Sequence, residues 1–115
     1  TEVGAITSNN TTTTYGTGSD YRLKENVVSM TGALNRVSQL KPSRFNFIAD
    51  ADTTVDGFLA HEVQDIVPEA ITGEKDAVDE EGNAKYQGID QSKLVPLLVG
   101  AIQELEARIK ILENK

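Results

Sequence analysis

The string Ser19-Asp20-Tyr21-Arg22-Leu23-Lys24 gathers a hydroxyl, a carboxylate, a guanidinium and an amine in one short stretch. A serine hydroxyl is a poor nucleophile unless a base takes its proton. The chain has one histidine, His61, and no cysteine, so a lysine is the base within reach of Ser19. To serve, Lys24 must be the neutral amine. Burial favours that form, and so does a neighbouring positive charge such as Arg22. The separation of Ser19 and Lys24 does not place them on one helical face. A turn at Ser19-Asp20, held by the Asp20 side chain, brings them together, or else Lys24 serves a neighbouring copy. By spacing alone the plainer reading is a helix cap followed by solvated charges.

Other chemistries find less support. The absence of cysteine excludes disulfides, thiolate metal sites and cysteine nucleophiles. His61 reads as a surface or hydrogen-bonded histidine. The acidic stretch 74–81 reads as a solvated loop, because it lacks the Asp-x-Asp-x-Asp-Gly order of a calcium loop. No Gly-x-x-x-x-Gly-Lys phosphate loop occurs, so neither a metal nor a nucleotide cofactor is expected. Gly57, Gly73, Gly82 and Gly88 read as turn or bulge positions.

These residues must be positioned by a small domain. The chain has 115 residues, of which 38% are hydrophobic and 5% aromatic. A chain of this size buries only about 60–70% of its unfolded surface, and the apolar supply is thin, so further burial is expected from copies of itself. The net charge is −7 and the pI near 4.6. A nucleic-acid binder carries a basic face, and an anionic membrane repels this charge; neither is an expected partner. No apolar run approaches the roughly 18 residues of a membrane span. Thr1 opens the chain with no signal-like segment, as in a fragment of something longer.

Met30, Ala33, Leu34, Val37 and Leu40 follow the spacing of a helix, with Ser29 as its N-cap and Pro42 stopping it. Phe45 and Phe47 alternate with polar residues, which predicts a half-buried strand. Residues 50–56 read as a polar turn and 57–60 as a returning strand. Val63, Ile66 and Val67 suggest helical turns closed by Pro68. Residues 70–72 and 85–89 read as short strands on either side of an acidic loop at 73–83.

The strongest local signal is the C-terminal helix, capped by Ser92 with Pro96 in its opening turns. Val95, Leu98, Ile102, Leu105, Ile109 and Leu112 form a heptad seam, with Val or Ile at a and Leu at d. Arg108 at g and Glu113 at the next e suit a parallel pairing. A helix packed on its own domain is the alternative, but the seam persists to the chain end, which favours self-association. The a/d pattern by itself leans to dimers.

Residues 1–18 differ from the rest: Thr, Ser, Asn and Gly dominate, with Glu2 the only charge. A disordered linker and the last strands of a β-fibre both fit, since threonine suits a pleated surface. Composition alone favours the linker.

SDYRLKENV resembles the opening motif of the intramolecular chaperone auto-processing domain found at the C-termini of phage endosialidase tailspikes, tail fibres and neck appendages. Ala33-Leu34 with Val37 and Leu40 before Pro42, then Phe45-x-Phe47, resemble that family's first helix and strand. GFLAHEVQDIVPEAI resembles its central segment and KYQGIDQSKLVPLLVGAIQEL its closing one. The resemblance covers residues 19–115; His61 departs from it, standing where glutamine is usual.

The resemblance implies an α+β fold: a first helix, a small antiparallel sheet, and a long C-terminal helix in a parallel trimeric coiled coil. It implies two parts, 1–18 as the end of a β-structured fibre or tailspike and 19–115 as a self-cleaving chaperone, and so reverses the linker reading. Ser19 becomes the nucleophile, Lys24 the general base and Gly18–Ser19 the bond cut, with Asp20 and Arg22 in support. Backbone N–H groups near Asp20, or Arg22, are candidates to hold the oxyanion. The implied partners are two further copies and the upstream fibre. The reaction is a single turnover without cofactor, in the host cytoplasm during assembly, and the released domain is not retained in the particle.

Two other readings are separable from this one. A non-catalytic trimerisation or receptor-contact module at a fibre tip stays uncut. The related domain of membrane-bound eukaryotic transcription factors requires a basic domain upstream and a membrane segment downstream; the Thr/Asn-rich stretch suits a fibre better.

Overall fold

A computed structural model describes residues 6–8, 13–15 and 18–115. Two short strands come first, β1 (Ile6–Ser8) and β2 (Thr13–Tyr15), paired antiparallel with Ile6 opposite Tyr15. The other residues of the Thr/Asn-rich stretch, Asn9 to Thr12 among them, lie outside the described residues. A 3₁₀ turn, Tyr21–Leu23, is followed by a stretch without regular structure as far as α1 (Ala33–Val37). Then come β3 (Ser43–Phe47), β4 (Asp50–Gly57), α2 (Ala60–Gln64), a 3₁₀ turn at Pro68–Ala70, β5 (Ile71–Thr72) and β6 (Gly88–Ile89). A last 3₁₀ turn, Gln91–Leu94, leads into the 19-residue α3 (Val95–Glu113). Among the described residues the strands form three separate two-stranded antiparallel sheets rather than one sheet.

The first helix is shorter than its periodicity suggests. It opens at Gly32, whose φ of +74° is a left-handed conformation that Ser29 does not supply. Its cap comes from α3: the Glu104 carboxylate accepts hydrogen bonds from Ala33 N (2.7 Å) and Leu34 N (3.3 Å). Met30 stays outside the helix and its sulfur lies near Gly100, where an added Cβ would meet Ala33 Cβ at 3.0 Å. Small residues at this crossing therefore let α1 lie close on α3. Glu104→Ala leaves these two amides without their acceptor and is expected to cost about 1–2 kcal/mol. Chemical denaturation measures it, and a variant as stable as the parent would remove Glu104 from this role.

Residues 50–56 are strand, not turn. Thr53, Thr54 and Val55 suit extended backbone, and β4 pairs with β3 from Ser43↔Gly57 to Phe47↔Asp50, with a register shift between Asn46 and Phe47. The turn is only Ile48-Ala49. Phe45 is half-buried and meets Phe47 edge-on at 5.4 Å, while Phe47 itself is exposed. The chain does not return as a strand after Gly57; Ala60 already begins α2. Pro68 opens a 3₁₀ turn instead of merely closing one, since a missing N–H costs nothing at a first helical position. Only Gly88 and Ile89 of 85–89 pair, opposite Thr72 and Ile71.

Ser92 does not cap α3, whose N-cap is Leu94 without a side-chain bond; the side-chain cap is that of Asp90 on the 3₁₀ turn before it. Asp90 Oδ1 accepts from Ser92 N (3.1 Å) and from Ser92 Oγ (2.6 Å), and Pro96 sits in the first turn of α3. The core is small: Ala33, Val63, Val67, Ala70, Leu94, Leu97 and Ala101 are buried, with Leu34, Val37, Leu40, Phe58 and Ile66 packed around them. Leu97 and Ala101 are the residues that α3 commits to this core. Val95, Leu98, Ile102, Leu105, Ile109 and Leu112 occupy a neighbouring stripe and are 43 to 64% exposed. So the helix carries two apolar stripes, and the single chain covers one. No helix of the described residues is long and apolar enough to cross a membrane.

Candidate active site

The turn after Gly18 is built by Asp20. Its backbone is extended (φ −63°, ψ 133°) and its Oδ1 accepts the Arg22 amide at 2.8 Å, an Asx turn of the kind that Asp favours. The Asp20 carbonyl accepts from Leu23 N at 3.0 Å, and the Tyr21 carbonyl accepts from Lys24 N at 3.1 Å. One 3₁₀ turn thus folds the backbone back on itself. Lys24 leaves it in extended conformation, and its Nζ donates to Ser19 Oγ at 3.1 Å. The amine and hydroxyl of the motif meet within one chain, without a neighbouring copy.

Arg22 is committed to Asp20. Its Nε donates to Oδ1 (3.0 Å) and its Nη2 to Oδ2 (2.9 Å), a two-pronged ion pair on the exposed face of the turn. Hydrogen bonds from the Arg22 side chain, then from its backbone, hold the Asp20 carboxyl below its ordinary value, and the same pair raises the guanidinium. Because the folded value is depressed, this contribution to the turn is complete above the ordinary carboxylate value. It is lost as pH falls through the depressed one. An NMR titration of the Asp20 carboxyl carbon is expected to show a midpoint below that of a free aspartate; a midpoint at or above it would contradict the pairing.

All of residues 18–32 are exposed, Gly18, Ser19 and Lys24 included, and Tyr21, Val27 and Val28 are more than 79% so, at 83, 80 and 84%. The remaining candidates lie elsewhere. The seam residues run along α3. His61 is half-buried on α2. In the acidic loop Asp79 Oδ1 accepts the amides of Glu81 (2.8 Å) and Asn83 (2.9 Å), which shapes the loop around its own backbone and lowers the Asp79 carboxyl. Sequence reasoning missed two features. Glu104 stands at a c position of the heptad, where a charged side chain reads as solvated, and its partners are 71 and 70 residues away. The exposed Val27-Val28 pair was legible only as part of a motif.

Residues 19–72 match the family model described as Chaperone of endosialidase, and Ser19 is the first matched residue. Over 101 residues the chain is 35% identical to the long tail fiber protein Gp37 of Enterobacteria phage K3, an alignment that covers 84% of this chain. The long tail fiber protein Gp37 of Enterobacteria phage T2 is likewise 35% identical over 101 residues. The match takes in 8% of the first relative and 7% of the second, so the chain corresponds to a small part of each.

Proposed function

The chain carries a domain of the chaperone-of-endosialidase family, and from that premise we propose that it is the intramolecular chaperone of a phage tail fibre, which trimerises, guides folding of the fibre and then cuts itself free between Gly18 and Ser19. The observation that carries the proposal is the 3.1 Å contact of Lys24 Nζ with Ser19 Oγ at the start of the matched domain.

In the proposed reaction Lys24, as the neutral amine, takes the hydroxyl proton while Ser19 Oγ attacks the carbonyl carbon of Gly18. Gly18 has no side chain to obstruct that approach. The Gly18–Ser19 C–N bond breaks, the Ser19 nitrogen takes the proton from Lys24, and Gly18 is left as an ester on Ser19 Oγ. Water then attacks the ester with Lys24 again accepting and returning a proton. The products are a Gly18 carboxylate and a domain with Ser19 as its N-terminus. Backbone N–H groups near Asp20 are the oxyanion donors in this scheme, since Nε and Nη2 of Arg22 are engaged by Asp20.

The exposed stripe Val95, Leu98, Ile102, Leu105, Ile109 and Leu112 supports a parallel trimeric coiled coil, with residues 1–18 as the end of the fibre and 19–115 as the chaperone. Interchain β-structure is rich in non-local pairings that form slowly and slip register. Helical contacts are local and form faster. Joining three C-termini first raises the effective concentration of the strands that must pair. Assembly also supplies what a single chain lacks, cover over Ser19 and Lys24, so cutting waits for a correctly associated trimer. Removal of the aligning domain leaves a fibre that persists kinetically. Intact-mass measurement on the full chain tests the proposal: a fragment beginning at Ser19 is expected, and a persistently uncut trimer would instead favour a non-catalytic fibre-tip module.

A further inference from the structure

We propose that Arg22 is a positioning residue for the self-cleavage reaction, acting by occupying both oxygens of the Asp20 carboxylate so that Lys24 is left to Ser19. This inference rests on the Ser19/Lys24 reading and adds to it a reason for an arginine between the two.

Asp20 is the residue next to Ser19, and the turn that brings Lys24 back to Ser19 is the one Asp20 caps. The carboxylate that shapes the turn is therefore also the anion best placed to capture the lysine. An ammonium paired with a carboxylate holds its proton more tightly, and a base that holds its proton cannot accept another. The observed geometry avoids this outcome. Oδ1 receives the Arg22 amide and Nε, Oδ2 receives Nη2, and Lys24 Nζ donates to the Ser19 hydroxyl instead. The planar guanidinium fork suits both oxygens at once, and a lysine in its place offers only a point charge.

The charged and titratable groups along this turn are Asp20, Tyr21, Arg22, Lys24 and Glu25. Residues 18–25, which carry these groups, are all exposed. Glu25 follows Lys24 directly and is a second anion for which the lysine competes. Asp20 differs from it in being held beside the Ser19 end of the turn by its own cap.

The test uses the uncut full chain, recovered in denaturant and diluted into a pH series spanning neutrality. Release of the fragment beginning at Ser19 is timed, and trimer content is measured in parallel. With Arg22→Gln the freed Asp20 oxygen is expected to pair with Lys24, moving the midpoint of the pH–rate curve up by about one unit and slowing release about tenfold near neutrality. The double variant Asp20→Asn/Arg22→Gln keeps a capping side chain but removes the anion, and its midpoint is expected to return to the parental one. Slower release at every pH with an unmoved midpoint overturns the proposal, as does a double variant whose midpoint stays shifted or which stays inactive at every pH. If the parent chain releases nothing, or releases equally with Ser19→Ala, the cleavage reading itself fails, a result distinct from either.

Discussion

Ser19→Ala is expected to leave the full chain uncut, with release of the fragment beginning at Ser19 falling to background. Without the hydroxyl no ester with Gly18 forms, and a peptide bond has no other internal route to hydrolysis at neutral pH. Lys24→Ala removes the base rather than the nucleophile, and general-base catalysis is worth about 10²–10⁴-fold, so release slows by about that factor. Lys24→Arg is the sharper variant. A guanidinium still donates to Ser19 Oγ and keeps the charge, but it does not give up its proton in proteins. It is expected to be as inactive as alanine. A gel of the full chain after refolding reads all three. Rapid cutting by Lys24→Arg would recast the lysine as an electrostatic partner, and continued cutting by Ser19→Ala would end the assignment. Trimer content is expected to be unchanged throughout, because the proposed association rests on the α3 seam and the turn contributes no buried residue to the domain.

Leu105→Asp is expected to convert the proposed trimer to a folded monomer. In the single chain Leu105 is 44% exposed and belongs to the stripe of α3 that the domain leaves open, so the substitution barely touches the buried set around Leu97 and Ala101. In a parallel coiled coil it places a carboxylate from every chain at the axis. Each lost leucine forfeits less than half of the about 1.5–3 kcal/mol that full burial of a leucine is worth, and the clustered charges add a desolvation penalty of several kcal/mol. Gln103→Asp, an exposed position off the seam, introduces the same charge and is expected to leave association intact. Light scattering separates the species, while circular dichroism confirms that the monomer keeps its helices. Slower self-cleavage is expected to accompany the loss, since the turn at Ser19 then stays in solvent. A Leu105→Asp chain that remains trimeric would place the contact on some other surface.

Legibility differed along the chain for physical reasons. The α3 seam could be read because its period lies within one element, and the stripe found exposed is the one with the heptad spacing. The short β5 and the β3 strand were legible for the same local reason. The beginning of α1 was not: its amides are capped by Glu104 from the far end of the chain, and Gly32, not Ser29, supplies the entry conformation. Residues 50–56 looked like a turn because Asp50, Asp52 and Asp56 are polar. Their pairing with β3 makes them a strand, one exposed on most of its length, where polar residues cost nothing. The loss of Ser92 as the cap of α3 is a smaller instance: a 3₁₀ turn capped by Asp90 comes first, and the Ser92 amide donates to the Asp90 carboxylate.

The residue types at 19–24 determined which chemistry was available: a hydroxyl, one amine as base, and an aspartate able to make the turn between them. The heptad spacing likewise determined that α3 has an apolar stripe to share. Only the tertiary structure decided that Lys24 reaches Ser19 in its own chain, that Arg22 takes up Asp20, and that Leu97 and Ala101, not the seam, face the core. The physical reason is the range of the forces involved. Periodicity and turn propensity act over a few residues and survive in the linear chain. The choice among competing hydrogen-bond partners, and among apolar faces, depends on which groups the folded backbone brings within about 3 Å.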